Sequence, residues 1–278
     1  MQRNGELAGK VLFLAGVGPQ MGSATALIAA REGARVALAA RRSGLSNELA
    51  RDIHKAGGTA IALQCDLTSF DSLSAAVEAT VRALGPIECV FYNAGFYDNV
   101  HSSIETDDDV WQMTMDVNLN GALALAKLTI PSMVERGGGS FVFNSSAASL
   151  VAGQVRFGYQ VAKAGLNAVT RFIAAKYGRH GIRANATLPF VVGGEVGAVA
   201  GSQNCIGRSG TAEEIGEAVV FLLSDRASVI TGQVIHLDGG LFTRASWPTN
   251  AAPYQPPSTP SEFGSKEANR GREVNGND

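Results

Sequence analysis

Short apolar runs alternate with longer stretches of helical periodicity along most of the chain. Val11–Ala15, Arg35–Ala40, Thr59–Cys65, Ile87–Tyr92, Ser140–Asn144, Arg183–Leu188 and Val234–Leu237 read as strands. Their apolar residues are consecutive rather than alternating, as in strands covered on both faces. Between them, Ser23–Glu32, Ser46–Ala56, Ser69–Leu84, a segment from Thr106 to about Glu135, Tyr159–Arg179 and Thr211–Leu223 carry apolar side chains at helical spacing. Gly33 and Gly57-Gly58 are placed to stop the first two. Thr106-x-x-Asp109 and Thr211-x-x-Glu214 read as capping boxes, and a break is expected near Asn118. Alternating strands and helices with right-handed crossovers predict one α/β domain over residues 1–245, a doubly wound parallel sheet of seven strands with helices on both faces.

Residues 246–278 leave this pattern. They hold five of the nine prolines, many polar residues and no periodicity. A disordered or loosely draped tail is expected, the alternative being an arm that packs on a neighbouring subunit through Trp247, Tyr254 or Phe263.

Composition narrows the function classes. Hydrophobic residues at 45% and charged residues at 17% provide for a sizeable core. A net charge of −2 gives no reason to expect a nucleic acid or an anionic membrane as partner. Cys65, Cys89 and Cys205 are an odd number without CxxC spacing, which argues against a disulfide framework or a zinc site and for a reducing compartment. The four histidines are scattered, so no metal is expected. Charges interleaved up to Lys10 do not make a signal peptide, and no apolar stretch of about 18 residues occurs, so a soluble, cytoplasmic protein is expected.

The candidate chemistry begins at the first turn. Ala15-Gly16-Val17-Gly18-Pro19-Gln20-Met21-Gly22 lies between the first strand and the first helix. Glycines there let the backbone approach a pyrophosphate, and a helix N-terminus supplies amide donors; a tight turn without ligand is the alternative. Tyr159 and Lys163 are four residues apart and share one face of a helix. An ammonium near a phenol favours phenolate, lowering its pKa from about 10 and making a proton donor or acceptor. Ser146 follows the fifth strand, thirteen positions before Tyr159.

Together these motifs resemble the short-chain dehydrogenase/reductase family, with its Rossmann fold, from about Leu7 to Leu241. The family's turn is T-G-x-x-x-G-x-G. Gly16 and Gly22 match it, Ala15 replaces the threonine, and Gln20 replaces the middle glycine, where a side chain is expected to crowd the pyrophosphate. Gly18 and Met21 complete the predicted phosphate contacts. The second strand ends in Ala40 rather than an acidic residue, and Arg41 and Arg42 follow. Guanidinium suits a phosphate, so the expected cofactor is NADP(H) rather than NAD(H), the alternative being that both arginines are solvated. Asp66, with Leu67 beside it, resembles the family's adenine-contacting aspartate, and Asn93-Ala94-Gly95 resembles the segment that packs near the cofactor. Asp66 and Asn93 also read as turn residues.

The resemblance implies a catalytic set of Asn118, Ser146, Tyr159 and Lys163. Ser146 would hold the substrate carbonyl oxygen, with Ser145 as the competing assignment, and Tyr159 would pass the proton. Lys163 would also bind the nicotinamide ribose. Asn118 would hold a water of the proton relay; as a helix-kink residue it would bond to backbone, and the two roles are compatible. The three residues between Tyr159 and Lys163, where the related enoyl reductases have six, favour carbonyl/alcohol chemistry. After the sixth strand Pro189 matches the family, whereas Phe190 and Gly194 stand where glycine and threonine are usual. The segment Val191–Ile206 is short for a substrate lid. Phe96, Val151, Phe157 and Phe190 read equally as an apolar pocket or as packing residues, and Arg156 as a surface charge or a partner for an acidic substrate. A small-molecule carbonyl or alcohol substrate and a homo-oligomer, tetramer or dimer, are implied.

Overall fold

The computed structural model describes residues 5–98, 104–151, 156–190, 192 and 204–243. Its strands are β1 (Val11–Ala15), β2 (Arg35–Ala40), β3 (Thr59–Gln64), β4 (Cys89–Tyr92), β5 (Gly139–Asn144), β6 (Ile182–Pro189) and β7 (Val234–Leu237). They form one seven-stranded sheet in the order β3-β2-β1-β4-β5-β6-β7. Every pairing is parallel. The helices are α1 (Met21–Arg31), α2 (Ser43–Lys55), α3 (Phe70–Leu84), α4 (Asp108–Met115), α5 (Gly121–Glu135), α6 (Phe157–Tyr177) and α7 (Ala212–Leu223).

Because successive strand side chains point to opposite faces, each strand feeds two cores. Val11, Phe13 and Ala15 of β1 join Val90, Tyr92, Phe141 and Phe143 under α3, α5 and α6. Leu12 and Leu14 join Val36, Leu38, Phe91 and Val142 under α1, α2 and α7. This double burial is why the strands are apolar at consecutive positions.

The predicted elements are present, with edges displaced by a few residues. The box at Thr211 forms as expected: its hydroxyl accepts the Glu214 amide at 3.1 Å, and the Glu214 carboxylate accepts the Thr211 amide at 2.9 Å. At Thr106 the expectation needs correcting. Helix α4 starts at Asp108 with Asp107 as its N-cap and no side-chain cap bond. The expected break at Asn118 is a single π-helical turn, Asp116–Asn120, joining α4 to α5. The tail 246–278, residue Gly194 and all of Val191–Ile206 except Val192 and Asn204–Ile206 lie outside the described residues.

Strand order reverses between β2-β1 and β4-β5, so a crevice opens at the carboxyl ends of β1 and β4. Register then fixes what meets there. Ala15 is level with Tyr92, and Tyr92 with Phe143. The next residues, Gly16, Asn93 and Asn144, therefore emerge side by side.

Candidate active site

Two turns approach so closely at the crevice that side chains are excluded. Gly16 has φ of 91°, and a Cβ there would lie 2.5 Å from the Ala94 nitrogen. A Cβ on Gly22 would meet the Asn93 amide nitrogen at 3.0 Å and the Gly16 oxygen at 3.1 Å. Helix α1 has no side-chain cap at its N-terminus. Of its first-turn amides, Ser23 is taken by the Gly18 carbonyl, which leaves among the described residues those of Met21 and Gly22 for an anion. Gly18 has open space around it, and its carbonyl accepts both the Ser23 amide, at 3.0 Å, and the Ser23 hydroxyl, at 2.7 Å. The Gln20 side-chain amide donates to the Val192 carbonyl at 3.3 Å.

Amides and a hydroxyl link the strand ends. Asn93 Nδ2 donates to the Gly16 carbonyl at 2.8 Å, Asn144 Nδ2 donates to Asn93 Oδ1 at 2.9 Å, and Thr187 Oγ1 donates to Asn144 Oδ1 at 3.3 Å. The Asn144 carbonyl accepts Lys163 Nζ at 2.8 Å, and the Ala94 carbonyl accepts it at 3.2 Å. One network thus runs from the Gly16 turn to the buried lysine. Asn144 and Thr187 carry no local sequence signal. Only strand register makes them neighbours, which is why sequence reasoning missed them.

Tyr159 and Lys163 share the buried face of α6, with exposures of 6% and 2%, and Nζ lies 5.5 Å from the phenol ring centroid. The segment after β5 is pinned against this helix. Ser145 Oγ donates to the Lys163 carbonyl at 3.3 Å, so its hydroxyl is engaged by backbone. Ser146 Oγ accepts the Ala148 amide at 3.2 Å, and its hydroxyl is a hydrogen-bond partner of the Tyr159 phenol. The two adjacent serines thus have different partners. Asn118 is fully buried and bonds to backbone: Nδ2 donates to the carbonyls of Phe96, at 2.7 Å, and Thr114, at 2.9 Å, and Oδ1 accepts the Phe96 amide at 3.3 Å. Its side chain therefore fixes the path of the loop after Gly95.

The remaining predicted positions are scattered around this centre. Arg41 and Arg42 are exposed at the end of β2. Asp66 Oδ1 accepts the Thr68 amide at 2.9 Å and the Thr68 hydroxyl at 2.8 Å, the turn role read beside its binding role. These bonds, then the Arg41 charge, hold its carboxyl below the usual range. Leu67 is buried, and Pro189 ends β6 opposite Leu237. Of the four candidate pocket residues, Phe157 packs on Trp111 with centroids 5.6 Å apart, and Val151 is 49% exposed.

Comparisons with known proteins agree with this architecture. A family model described as Enoyl-(Acyl carrier protein) reductase matches residues 16–242. Cyclohexanol dehydrogenase from Acinetobacter sp. (strain SE19) is 32% identical over 242 residues, covering 84% of this chain and 96% of that protein. The chain belongs to the short-chain dehydrogenase/reductase family. L-rhamnose 1-dehydrogenase (NAD(P)(+)) from Azotobacter vinelandii is 33% identical over 253 residues, covering 85% and 98% of the two chains. The crystal structure of a gluconate 5-dehydrogenase from Burkholderia cenocepacia in complex with NADP and tartrate superposes with a TM-score of 0.79 at 25% identity, covering 86% of this chain and 97% of that one. The protein is thus a short-chain oxidoreductase with the family's doubly wound fold.

The electrostatics of this short-chain dehydrogenase/reductase differ from the simple picture of a lysine acidifying a tyrosine. Burial pushes the Tyr159 phenol above its ordinary value, and Tyr97 adds to that rise. The Ser146 hydroxyl and the Arg156 charge work in the opposite direction. Burial likewise pulls Lys163 down to about 7, because its ammonium is taken from water with only carbonyl partners. In the free protein desolvation outweighs the favourable pairing.

Tyr97, Asp98 and Arg156 surround Tyr159 as well. The Tyr97 ring lies 4.8 Å from the Tyr159 ring, and Asp98 Oδ2 accepts the Gly158 amide at 3.0 Å in the first turn of α6. An acidic group there favours the helix dipole. Neither residue was singled out from sequence, because a single aromatic and a single acid in a loop carry no pattern.

Proposed function

We propose that the protein is an NADP(H)-dependent oxidoreductase that reduces the carbonyl group of a small molecule to an alcohol, reversibly. The observation that carries the reading is the network joining the Gly16 turn through Asn93 and Asn144 to Lys163, with Tyr159 on the same helix face. It couples a cradle fit for a pyrophosphate to a buried pair fit for proton transfer.

The close approach at Gly16 and Gly22 and the uncapped α1 terminus match the needs of a dinucleotide. Gly16, Gly18, Gln20, Met21 and Gly22 would hold its pyrophosphate, and Asp66 and Leu67 its adenine. Arg41, with Arg42, would hold the 2′-phosphate. Asn93, Ala94, Gly95 and Pro189 would flank the nicotinamide end, and Tyr159 and Lys163 its ribose. The bound nicotinamide supplies a hydride to the carbonyl carbon. Ser146 donates its hydroxyl proton in a hydrogen bond to the substrate oxygen. Tyr159, which burial keeps protonated at neutral pH, gives its proton to the nascent alkoxide. Lys163, near neutrality at about 7, can then return a proton toward the phenol. Asn118 holds the loop that carries Ala94, one of the lysine's two acceptors.

Similarity to a cyclohexanol dehydrogenase and to an L-rhamnose 1-dehydrogenase (NAD(P)(+)) favours a second reading, alcohol oxidation with NAD as an alternative cofactor. Paired NADPH and NADH assays on a ketone panel distinguish the two, using wild type and Arg41→Ala. Loss of one charge-assisted phosphate contact should weaken NADPH about tenfold, roughly 1.4 kcal/mol, and leave NADH little changed. Equal losses with both cofactors, or none, would discard the NADP(H) assignment. A homo-oligomer remains part of the proposal, checked by light scattering.

A further inference from the structure

One cation beside Tyr159 is unused by the mechanism above. Arg156, the N-cap of α6, has φ of 61° and ψ of 49°, the one positive φ outside glycine among the described residues. That conformation is unfavourable for an L-residue with a long side chain, and strain of this kind collects at functional sites. The Arg156 guanidinium carbon lies 4.8 Å from the Tyr97 ring centroid, and the same ring packs against Tyr159 with centroids 4.8 Å apart. The cation is thus one tilted ring pair from the proposed proton donor, with only the Tyr97 ring between them, close enough for its charge to be felt there.

Among the described residues its guanidinium makes no hydrogen bond. Nε is buried without a hydrogen-bond partner, and among the described residues no carboxylate forms an ion pair with this arginine. A guanidinium that stacks by its face keeps its edge for an acceptor in its own plane, and a carboxylate matches that fork. A single arginine, with the Asp98 carboxylate held at the Gly158 amide nearby, suits a monoanion rather than a phosphate dianion.

We infer that Arg156, braced by Tyr97, is a carboxylate subsite, and that the substrate is a small oxo acid or hydroxy acid whose carboxylate meets Arg156 while its carbonyl meets Ser146 and Tyr159. The inference rests on the oxidoreductase reading and deepens it.

The test compares a short oxo acid with its methyl ester and the corresponding plain ketone, in wild type, Arg156→Gln and Arg156→Lys. In wild type, kcat/KM for the acid should exceed that for the ester about tenfold, mostly through KM, the yield of one charge-assisted contact. Arg156→Gln should collapse that ratio toward unity, and Arg156→Lys should restore part of it. Added salt should raise the KM of the acid and spare that of the ester. Wild type without preference for the acid, or Arg156→Gln lowering acid and ester in proportion, overturns the subsite. If Arg156→Gln does not fold, the wild-type salt dependence decides, and equal KM responses overturn it. If neither charged nor neutral compounds react, the oxidoreductase reading has failed on its own. The subsite is then read by thermal shift: stabilisation by the acid and not the ester supports it, and absence of that difference overturns it.

Discussion

The two ends of the sheet treat similar charges in opposite ways. At the amino end, Lys10 pairs with Asp225 and Arg136 with Glu88 at 3.7 Å, while Glu88 also accepts the Val11 amide at 3.0 Å. Arg183 donates to the carbonyls of Leu222, Leu223 and Ser224, at 2.6, 3.2 and 2.8 Å, closing the carboxyl end of α7. At the carboxyl end, Lys163 is buried with carbonyl acceptors alone, and Arg156 has a buried Nε without a partner. Charges matched inside the protein hold the fold. Charges left short of partners raise its energy and are available to a ligand.

This contrast can be broken by mutation. Tyr159→Phe should have the largest effect, lowering turnover on the order of 10²–10⁴-fold by removing the proton donor. Melting temperature should change little and dinucleotide binding should persist, weakened only by the one ribose contact, about 1 kcal/mol, and retained turnover in a folded variant would remove Tyr159 from the chemistry.

Next comes the pH dependence of stability in the free protein. Burial holds Lys163 at about 7, below its ordinary 10.5. Between those values the unfolded chain binds more protons than the folded one, so this group's contribution makes stability rise with pH across the window, with the burial penalty complete below about 7. The raised phenol of Tyr159 has the opposite sense, lost only as pH climbs past about 10. Urea unfolding at several pH values from about 7 to 9.5 should therefore show a slope of up to roughly 1.4 kcal/mol per pH unit in wild type that Lys163→Met lacks. Identical slopes would mean that the lysine is solvated.

Arg183→Met tests the other end. It leaves three carbonyls at the end of α7 without their charged donor and should cost about 2–3 kcal/mol, read from the denaturation midpoint. Activity per folded molecule should persist, and a parallel loss would show that the two ends are coupled. Thr211→Ala, which removes one half of the capping box, should be the smallest effect at about 1 kcal/mol, again without change in turnover.

Much of this contrast was legible in the chain. The apolar runs gave the strands, because burial on both faces leaves no room for alternation. The glycines of the first turn and the Tyr159–Lys163 spacing were legible for the same reason, since a turn and one helical repeat are local geometry. The caps divide instructively. Thr211 offers a hydroxyl that helix α7 uses, whereas helix α4 has Asp107 as its N-cap, one residue beyond the predicted Thr106, and makes no side-chain cap bond. The spacing to Tyr159 favoured Ser146 over Ser145, and only the fold shows what each adjacent hydroxyl meets.

The sequence by itself determined the alternation of elements, the class of sheet, the glycine-rich first turn and the candidate proton-transfer pair, all matters of near-neighbour sterics and periodicity. Tertiary structure alone decided that Asn93, Asn144 and Thr187 form one row, that Arg183 closes α7, and that Arg156 stands over Tyr97. It also decided the sign of the Tyr159 shift, because desolvation depends on everything packed around the phenol rather than on the lysine one turn away.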